Sequence, residues 1–143
     1  MGPTRVLLVD DEEDFTDILS ARMETRGLLV DVSPNGIDAL EKADRTPYDA
    51  VILDLAMPGM DGIQTLKRLL AKNPDIQVIL LTGYATLEKG LEAIKSGAME
   101  FLEKPVDIDK LMGIISQARD KTVQLTEKRI EEAINRITRK KGW

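Results

Sequence analysis

The chain has 143 residues with neither cysteine nor histidine, which excludes disulfides, thiolate or imidazole metal ligands, and histidine bases or phosphohistidine on this chain. Its 43% hydrophobic and 31% charged content is typical of one globular domain with a full core. The net charge of −5 predicts no direct nucleic-acid binding. The sequence has no apolar run of membrane-spanning length and no signal-peptide pattern, which predicts no membrane insertion and a cytoplasmic location.

Five short apolar runs alternate with segments whose apolar residues recur at helical spacing. The runs predict strands at Arg5–Val9, Leu28–Val32, Tyr48–Asp54, Ile76–Thr82 and Met99–Lys104. The helical segments contain Phe15, Ile18, Leu19 and Met23, then Ala39, Leu40 and Ala43, then Ile63, Leu66, Leu69 and Leu70, then residues 85–96, and finally a pattern from near Asp107. This alternation predicts one α/β domain in which helices cover both faces of a five-stranded parallel sheet.

Residues that favour helix ends stand at several junctions of this pattern. Asn35 and Asp61 precede the second and third helices and are candidate N-caps. Gly27 and Gly97 follow the first and fourth helices, where glycine commonly ends a helix. Gly90 instead lies inside the predicted fourth helix, where it costs on the order of 1 kcal/mol relative to alanine, so we expect that helix to be the least stable.

Four of the five predicted strands end in side chains capable of chemistry. These side chains are Asp10 and Asp11, Asp54, Thr82 and Lys104. Singly, each fits an ordinary cap, turn or surface charge. In a parallel sheet, however, the carboxyl ends of the strands share one edge, where ligands bind. Three carboxylates gathered there repel each other unless a cation joins them, and oxygen-only ligands favour magnesium. A carboxylate nucleophile, magnesium, a lysine and a hydroxyl together suit phosphoryl transfer onto aspartate.

The sequence resembles the response-regulator receiver domains of bacterial two-component signalling, a family that includes the chemotaxis regulators. The matching stretches are Val9-Asp10-Asp11-Glu12, Leu53 to Gly62, Leu81-Thr82-Gly83-Tyr84-Ala85, and Gly97 to Pro105, within about residues 4–122. The resemblance implies a doubly wound, flavodoxin-like sheet with strand order 2-1-3-4-5. It also implies a phosphorylation-operated switch rather than a conventional enzyme.

For the site, the resemblance implies that Asp54 accepts a phosphoryl group from a histidine kinase or a histidine phosphotransfer protein. Asp11, Asp54 and the carbonyl of Ala56 would ligate Mg²⁺ directly, with Asp10 acting through water. Thr82 and Lys104 would hold the phosphoryl oxygens, and the Lys104–Pro105 bond would be cis. Phe101 occupies the position of the switch aromatic, although it could simply pack in the core. Ala56 and Tyr84 occupy the positions that tune phosphoaspartate lifetime, and alanine cannot position an attacking water, so slow self-dephosphorylation is expected.

Two other functions fit parts of this pattern. A haloacid-dehalogenase-like phosphatase also uses an aspartate nucleophile with magnesium, but its general acid would stand two residues after the nucleophile, where this chain has Ala56. A purely structural dimerisation module would not need the full set of acids and the lysine. A phosphatase assay on a phosphomonoester separates the first alternative from a receiver.

The helical pattern continues beyond the receiver pattern, which divides the chain into a receiver at 1–122 and an amphipathic, basic helical extension at 123–143. Residues 128–143 hold six Lys or Arg and two Asp or Glu, a net charge of +4. Val123, Ile130, Ile134 and Ile137 form an apolar stripe that is expected either to pack on its own receiver or to pair with a second chain. The alternative is a solvated and partly frayed helix end, because isolated helices of this length are marginal in water. The chain is accordingly either a stand-alone receiver or part of a larger regulator such as a transcription activator. Its output partner is not identified by the sequence.

Overall fold

A computed structural model describes residues 2–57, 59–83 and 86–140. Strands and helices alternate through this part of the chain, as the periodicity predicts. The elements are β1 (Arg5–Val9), α1 (Glu13–Thr25), β2 (Leu29–Ser33), α2 (Gly36–Arg45), β3 (Ala50–Leu53), α3 (Gly62–Lys72), β4 (Val78–Thr82), α4 (Leu87–Lys95), β5 (Glu100–Glu103) and α5 (Ile108–Lys140).

The five strands form one parallel sheet in the order β2-β1-β3-β4-β5. This order confirms the predicted doubly wound fold. The chain moves first to one edge of the sheet and then back past β1 to the other edge. The carboxyl ends of β1 and β3 are therefore neighbours at the switch point, where such sheets bind ligands.

The sheet is buried between two helical layers. One core cluster joins a face of the sheet to α2, α3 and α4, and the other joins the opposite face to α1 and α5. Every residue of β3 and β4 is buried, which explains why these strands appear in the sequence as unbroken apolar runs. The largest fully buried side chains are Leu7, Leu8, Met23, Ile52, Leu53, Leu66, Leu69, Ile79, Leu80, Leu81, Leu111 and Ile115.

The structure differs from the predicted pattern in the burial of Ile18 and in the bounds of several elements. Ile18 was expected on the buried face of the first helix, but its side chain is 58% exposed, whereas Leu19 and Met23 are buried. The buried line of α1 steps four residues at a time and leaves Ile18 on the solvent side. The third strand is also shorter than predicted, because Tyr48 is buried without strand pairing and donates a hydrogen bond of 2.7 Å to Asp31.

The predicted helix caps are present. The side chain of Asn35 accepts from the backbone N–H of Asp38, and Asp61 forms a reciprocal capping box with Gln64. Gly62, the first residue of α3, lies so close to β3 that a Cβ there would be 2.5 Å from the carbonyl oxygen of Asp54. Glycine at this position therefore lets α3 begin directly beside the strand end.

The last helix is continuous over 33 residues and shows no break at the predicted boundary after residue 122. Its middle is held to the amino-terminal side of the sheet by an ion pair of 2.9 Å between Arg119 and Asp49. Farther along, Arg129 pairs with Asp75, in the segment before β4. Within the described ranges, no helix has both the length and the apolar character needed to cross a membrane.

Candidate functional site

The predicted site residues follow the strands at one edge of the sheet. Asp10 follows β1, Asp54 follows β3, Thr82 ends β4, and Lys104 follows β5. The backbone N–H of Asp54 still donates to the carbonyl of Val9 at 3.0 Å, which keeps the ends of β1 and β3 together. The side chains of Asp10, Asp54 and Thr82 are all buried, so the strand ends form a recessed polar site and not a solvated rim.

Three carboxylates lie together at this edge. Oxygen atoms of Asp10, Glu12 and Asp54 all lie within 4.8 Å of one another. Asp10 and Asp54 are only 3% and 4% exposed, whereas Glu12 is exposed. Asp11, which the resemblance gives as a direct metal ligand, is exposed and is not a member of this group. Its role as a ligand stays a prediction that requires its side chain to turn toward Asp54.

Lys104 crosses from the edge strand β5 to these acids. Its ammonium donates to Asp10 at 2.7 Å and to Glu12 at 3.3 Å, and it lies 3.7 Å from Asp54. The ammonium also lies over the ring of Phe15, 4.1 Å from the ring centroid. The lysine side chain is 13% exposed, so its charge is largely compensated by the acids and the ring and only partly by water.

The acids and the lysine shift each other's proton affinity. Burial raises the pKa of Asp10, and the charge of Asp54 adds to this effect, while hydrogen bonds from Lys104 and from the backbone N–H of Glu12 oppose it. Burial lowers the pKa of Lys104, but its hydrogen bond to Asp10 and the nearby acids outweigh burial, so the pKa of the lysine is raised overall. The lysine therefore keeps its positive charge in this site.

The donor set fits a hard divalent cation. The three grouped carboxylates supply oxygen ligands, and the chain has no cysteine or histidine that would favour zinc. Lys104 is a single positive charge against three carboxylates. Because one lysine does not neutralise the negative charge of these carboxylates, two of which are buried, a further cation would stabilise the site. The backbone N–H of Ala56 donates to Asp54 at 3.3 Å, so Ala56 lies beside the nucleophile candidate.

The remaining predicted residues surround this group. The Lys104–Pro105 peptide bond is cis, the conformation that the resemblance implies. Phe101 is half-buried in β5 and packs against the core on the side of α2, α3 and α4. A Cβ on Gly90 of α4 would lie only 3.3 Å from the Phe101 ring, so the glycine makes room for it. Tyr84, one of the two predicted lifetime-tuning residues, lies outside the described residues.

Two contacts were not anticipated from the sequence. Glu12 belongs to the acidic motif after the first strand, and in the structure it joins both the carboxylate group and Lys104. Phe15 is one of the apolar residues at helical spacing in the first helix, and its ring also contacts the lysine ammonium. The acidic motif after the first strand was a signal for Glu12, but no local pattern connects Phe15 with a lysine that follows the fifth strand.

Known proteins with similar sequences point to one family. The sequence profile described as "response regulator receiver domain" matches residues 6–116. The transcriptional regulatory protein ZraR of Klebsiella oxytoca is 40% identical over 127 residues, which are 89% of this chain and 28% of ZraR. The chain thus spans little more than a quarter of the length of this curated relative.

Solved structures agree with the sequence comparison. The beryllofluoride-activated NtrC4 receiver domain dimer is 36% identical, with a TM-score of 0.78 over 82% of this chain and 98% of that one. A CheY-like receiver domain protein from Methanospirillum hungatei is 26% identical, with a TM-score of 0.81 over 86% of this chain and 98% of that one. In both comparisons, nearly the whole of the matched chain is covered.

Proposed function

Since the chain belongs to the response regulator receiver family, we propose that Asp54 is its phosphoacceptor and that phosphorylation there switches its conformation. The observation that carries the proposal is the position of Asp54. It lies at the carboxyl end of the central strand β3, 4% exposed, beside Asp10 and 3.7 Å from the Lys104 ammonium. A nucleophile for phosphoryl transfer needs nearby positive charge to stabilise the transferred group, and Lys104 supplies it.

In the proposed reaction, an oxygen of Asp54 attacks the phosphorus of a phosphohistidine on the donor protein. A P–O bond to Asp54 forms as the P–N bond breaks, and the leaving imidazole, with its other nitrogen protonated, keeps the electron pair and departs neutral. Lys104 and the hydroxyl of Thr82 bind the phosphoryl oxygens. The energetics of such a transfer depend on position and charge more than on covalent chemistry, so these contacts are the main contribution of the chain.

We propose that Mg²⁺ is required for this reaction. Asp11, Asp54 and the carbonyl of Ala56 would hold the ion, and Asp10 would act through water. The ion, when bound, would neutralise the carboxylates and the oxygens of the phosphoryl group. Without the ion, the incoming phosphoryl group would face the negative charges of Asp10 and Asp54, both buried.

The switch is proposed to run from Thr82 to Phe101. Lys104 now donates to Asp10 and would contact the phosphoryl group only once that group is present. Thr82 ends β4 and is paired in register with Glu103, two residues after Phe101 in β5. A shift of Thr82 toward a phosphoryl oxygen would therefore alter the environment of the neighbouring strand and of the Phe101 ring.

The direct test is phosphorylation by acetyl phosphate with Mg²⁺, followed by intact mass. Wild-type protein is expected to gain one phosphoryl group, and Asp54→Asn is expected to gain none while remaining folded. Asp44→Asn is a matched control, because Asp44 forms an exposed ion pair with Lys72 away from the site. A wild type that gains no phosphoryl group, or labelling that survives unchanged in Asp54→Asn, contradicts the assignment.

The partners proposed are a histidine kinase or phosphotransfer protein as donor, an output protein or domain, and a second copy of this chain. ZraR is named a transcriptional regulatory protein, so control of transcription is the proposed output. We assign residues 1–122 to the receiver and 123–143 to an extension. Pairing of two extensions is supported by Ile130, Ile134 and Ile137, each more than half exposed. The dimeric state of the similar NtrC4 receiver supports self-association of the receiver, without indicating which surface pairs.

A further inference from the structure

The ring of Phe15 and the ammonium of Lys104 connect two distant parts of the sheet edge. Phe15 lies in the first turn of α1, directly after the acidic loop, and its half-buried ring packs against the core cluster on the α1 and α5 face. Lys104 follows β5 at the far edge of the sheet. The 4.1 Å separation between Nζ and the ring centroid is within the range of a cation–π contact.

The ring restrains the ammonium in a way that a polar residue could not. An aromatic face attracts the cation through its quadrupole and offers no oxygen acceptor. Among the residues that the structure describes, carboxylate oxygens of Asp10, Glu12 and Asp54 lie 2.7 Å, 3.3 Å and 3.7 Å from the ammonium. The ring therefore fixes the position of the charge while leaving its N–H groups available to oxygens on the acidic side.

The anchoring of the ring matters because the lysine side chain is long and flexible. The Phe15 ring packs directly against the core cluster on the α1 and α5 face, so it has a defined position relative to Asp10. A lysine held in advance near Asp54 loses less freedom when it binds a transferring phosphoryl group, and the transfer is correspondingly faster.

We infer that Phe15 is a positioning residue for phosphoryl transfer, acting by holding the Lys104 ammonium beside Asp54. The inference rests on the proposed function, since it gives Lys104 the task of binding phosphoryl oxygens. Phe15 itself acts through the lysine and is not a catalytic residue. The contact makes α1 a part of the site through an apolar side chain as well as through the acids that precede it.

The kinetic test compares Phe15→Leu, which keeps apolar bulk but removes the aromatic face, with Phe15→Tyr, which keeps the face. Rates of phosphorylation by acetyl phosphate with Mg²⁺ are followed by intact mass. The Phe15→Leu rate is expected to fall about threefold to tenfold, the range expected from losing a partly desolvated cation–π contact. Phe15→Tyr is expected to stay within about twofold of wild type.

A control separates positioning from general loosening of the helix. Leu19→Val perturbs the buried face of α1 one turn later and leaves the aromatic ring in place. Its rate is expected to remain within about twofold of wild type even though its stability falls. Equal slowing in Leu19→Val and Phe15→Leu, slowing in Phe15→Tyr, or a wild-type rate in Phe15→Leu would overturn the inference.

A second measurement does not depend on phosphorylation. Protons of the Lys104 ε-methylene next to the ring face are expected to be shielded in the NMR spectra of wild type and Phe15→Tyr, and to lose this shielding in Phe15→Leu. Shifts that are the same in all three proteins contradict the contact itself. If wild type shows the shielding but accepts no phosphoryl group, the proposed function fails while the contact stands.

Discussion

Lys104 donates its shortest hydrogen bond, 2.7 Å, to Asp10, while the nearest oxygen of Asp54 is a full ångström farther away. The cation of the site is therefore attached mainly to the acid after β1, although its proposed task is at the acid after β3. This arrangement holds the lysine ammonium within reach of a phosphoryl group on Asp54. To bind that group, the ammonium would exchange its hydrogen bond to Asp10 for one to a phosphoryl oxygen. It also makes the fold depend on the lysine before any phosphoryl group arrives.

Removing Lys104 is expected to destabilise the protein. Lys104→Ala leaves Asp10 and Asp54 buried without their nearest cation, which should lower the free energy of unfolding at pH 7 by about 1–3 kcal/mol. Lys72→Ala is the control, because the Lys72–Asp44 pair is exposed on both sides and should contribute less than about 1 kcal/mol. Urea denaturation measures both. A smaller loss in Lys104→Ala than in Lys72→Ala is the contrary result.

Metal binding should distinguish Asp11 from Glu12. Glu12 already accepts from Lys104, whereas Asp11 is the direct ligand that the family resemblance implies. We expect Asp11→Asn to weaken Mg²⁺ binding at least about tenfold, which corresponds to a loss of about 1.4 kcal/mol in binding free energy. Glu12→Gln is expected to weaken Mg²⁺ binding by less than about threefold. Titration calorimetry of the unphosphorylated protein tests this. A stronger effect of Glu12→Gln would assign the ion to the group of acids as it now lies.

Two glycines in helices should respond differently to alanine. Nothing lies within 4 Å of a Cβ built on Gly113 in α5, so Gly113→Ala should gain the full helix propensity of about 1 kcal/mol. In α4, the new Cβ of Gly90→Ala would lie 3.3 Å from the ring of Phe101. Displacing the ring would therefore offset part of the stabilisation from helix propensity. Thermal denaturation should show the smaller gain for Gly90→Ala. Only Gly90→Ala should change the NMR shifts of Phe101; identical effects of the two substitutions contradict the contact.

The pair between Arg129 and Asp75 predicts a pH dependence. The hydrogen bond from Arg129 lowers the pKa of Asp75 below 3.8. Because this folded-state pKa lies below the unfolded one, the stabilisation is present above pH 3.8 and is lost as pH falls through the lower value. Carboxyl NMR titration should find the midpoint of Asp75 shifted toward 3.8 in Arg129→Gln but unchanged in Arg136→Gln. Equal effects of these two substitutions would rule out a specific pair.

The exposed stripe of α5 should support self-association. Ile134→Glu places a charge between Ile130 and Ile137, and burying that charge in a helix pair is costly. Ile37→Glu is the matched control, since Ile37 is 61% exposed on α2 and lies off the stripe. Sedimentation is expected to show wild type and Ile37→Glu dimerising as concentration rises, and Ile134→Glu remaining monomeric. A wild type that stays monomeric at every concentration refutes pairing through the extension.

Local sequence determined most of the fold. Unbroken apolar runs marked β3 and β4 because both faces of these strands are buried, and Asn35 and Asp61 marked helix starts because their side chains satisfy free backbone N–H groups. The identity of the strand-end residues also followed from the sequence. Parallel strands end at one edge of the sheet, so the alternation placed Asp10 and Asp54 at the same edge, and the strand order that the resemblance implies made them neighbours.

The tertiary structure decided which side chains meet. Periodicity could not exclude Ile18 from the core, because the buried direction of α1 depends on how the helix packs on the sheet. The contacts of Lys104 with Glu12 and Phe15 depend on the reach of one side chain across several strands, and the Arg129–Asp75 pair depends on where α5 passes the start of β4. Hydrophobic patterns report the burial of each element separately. Distances between elements are set only when the helices and strands pack together.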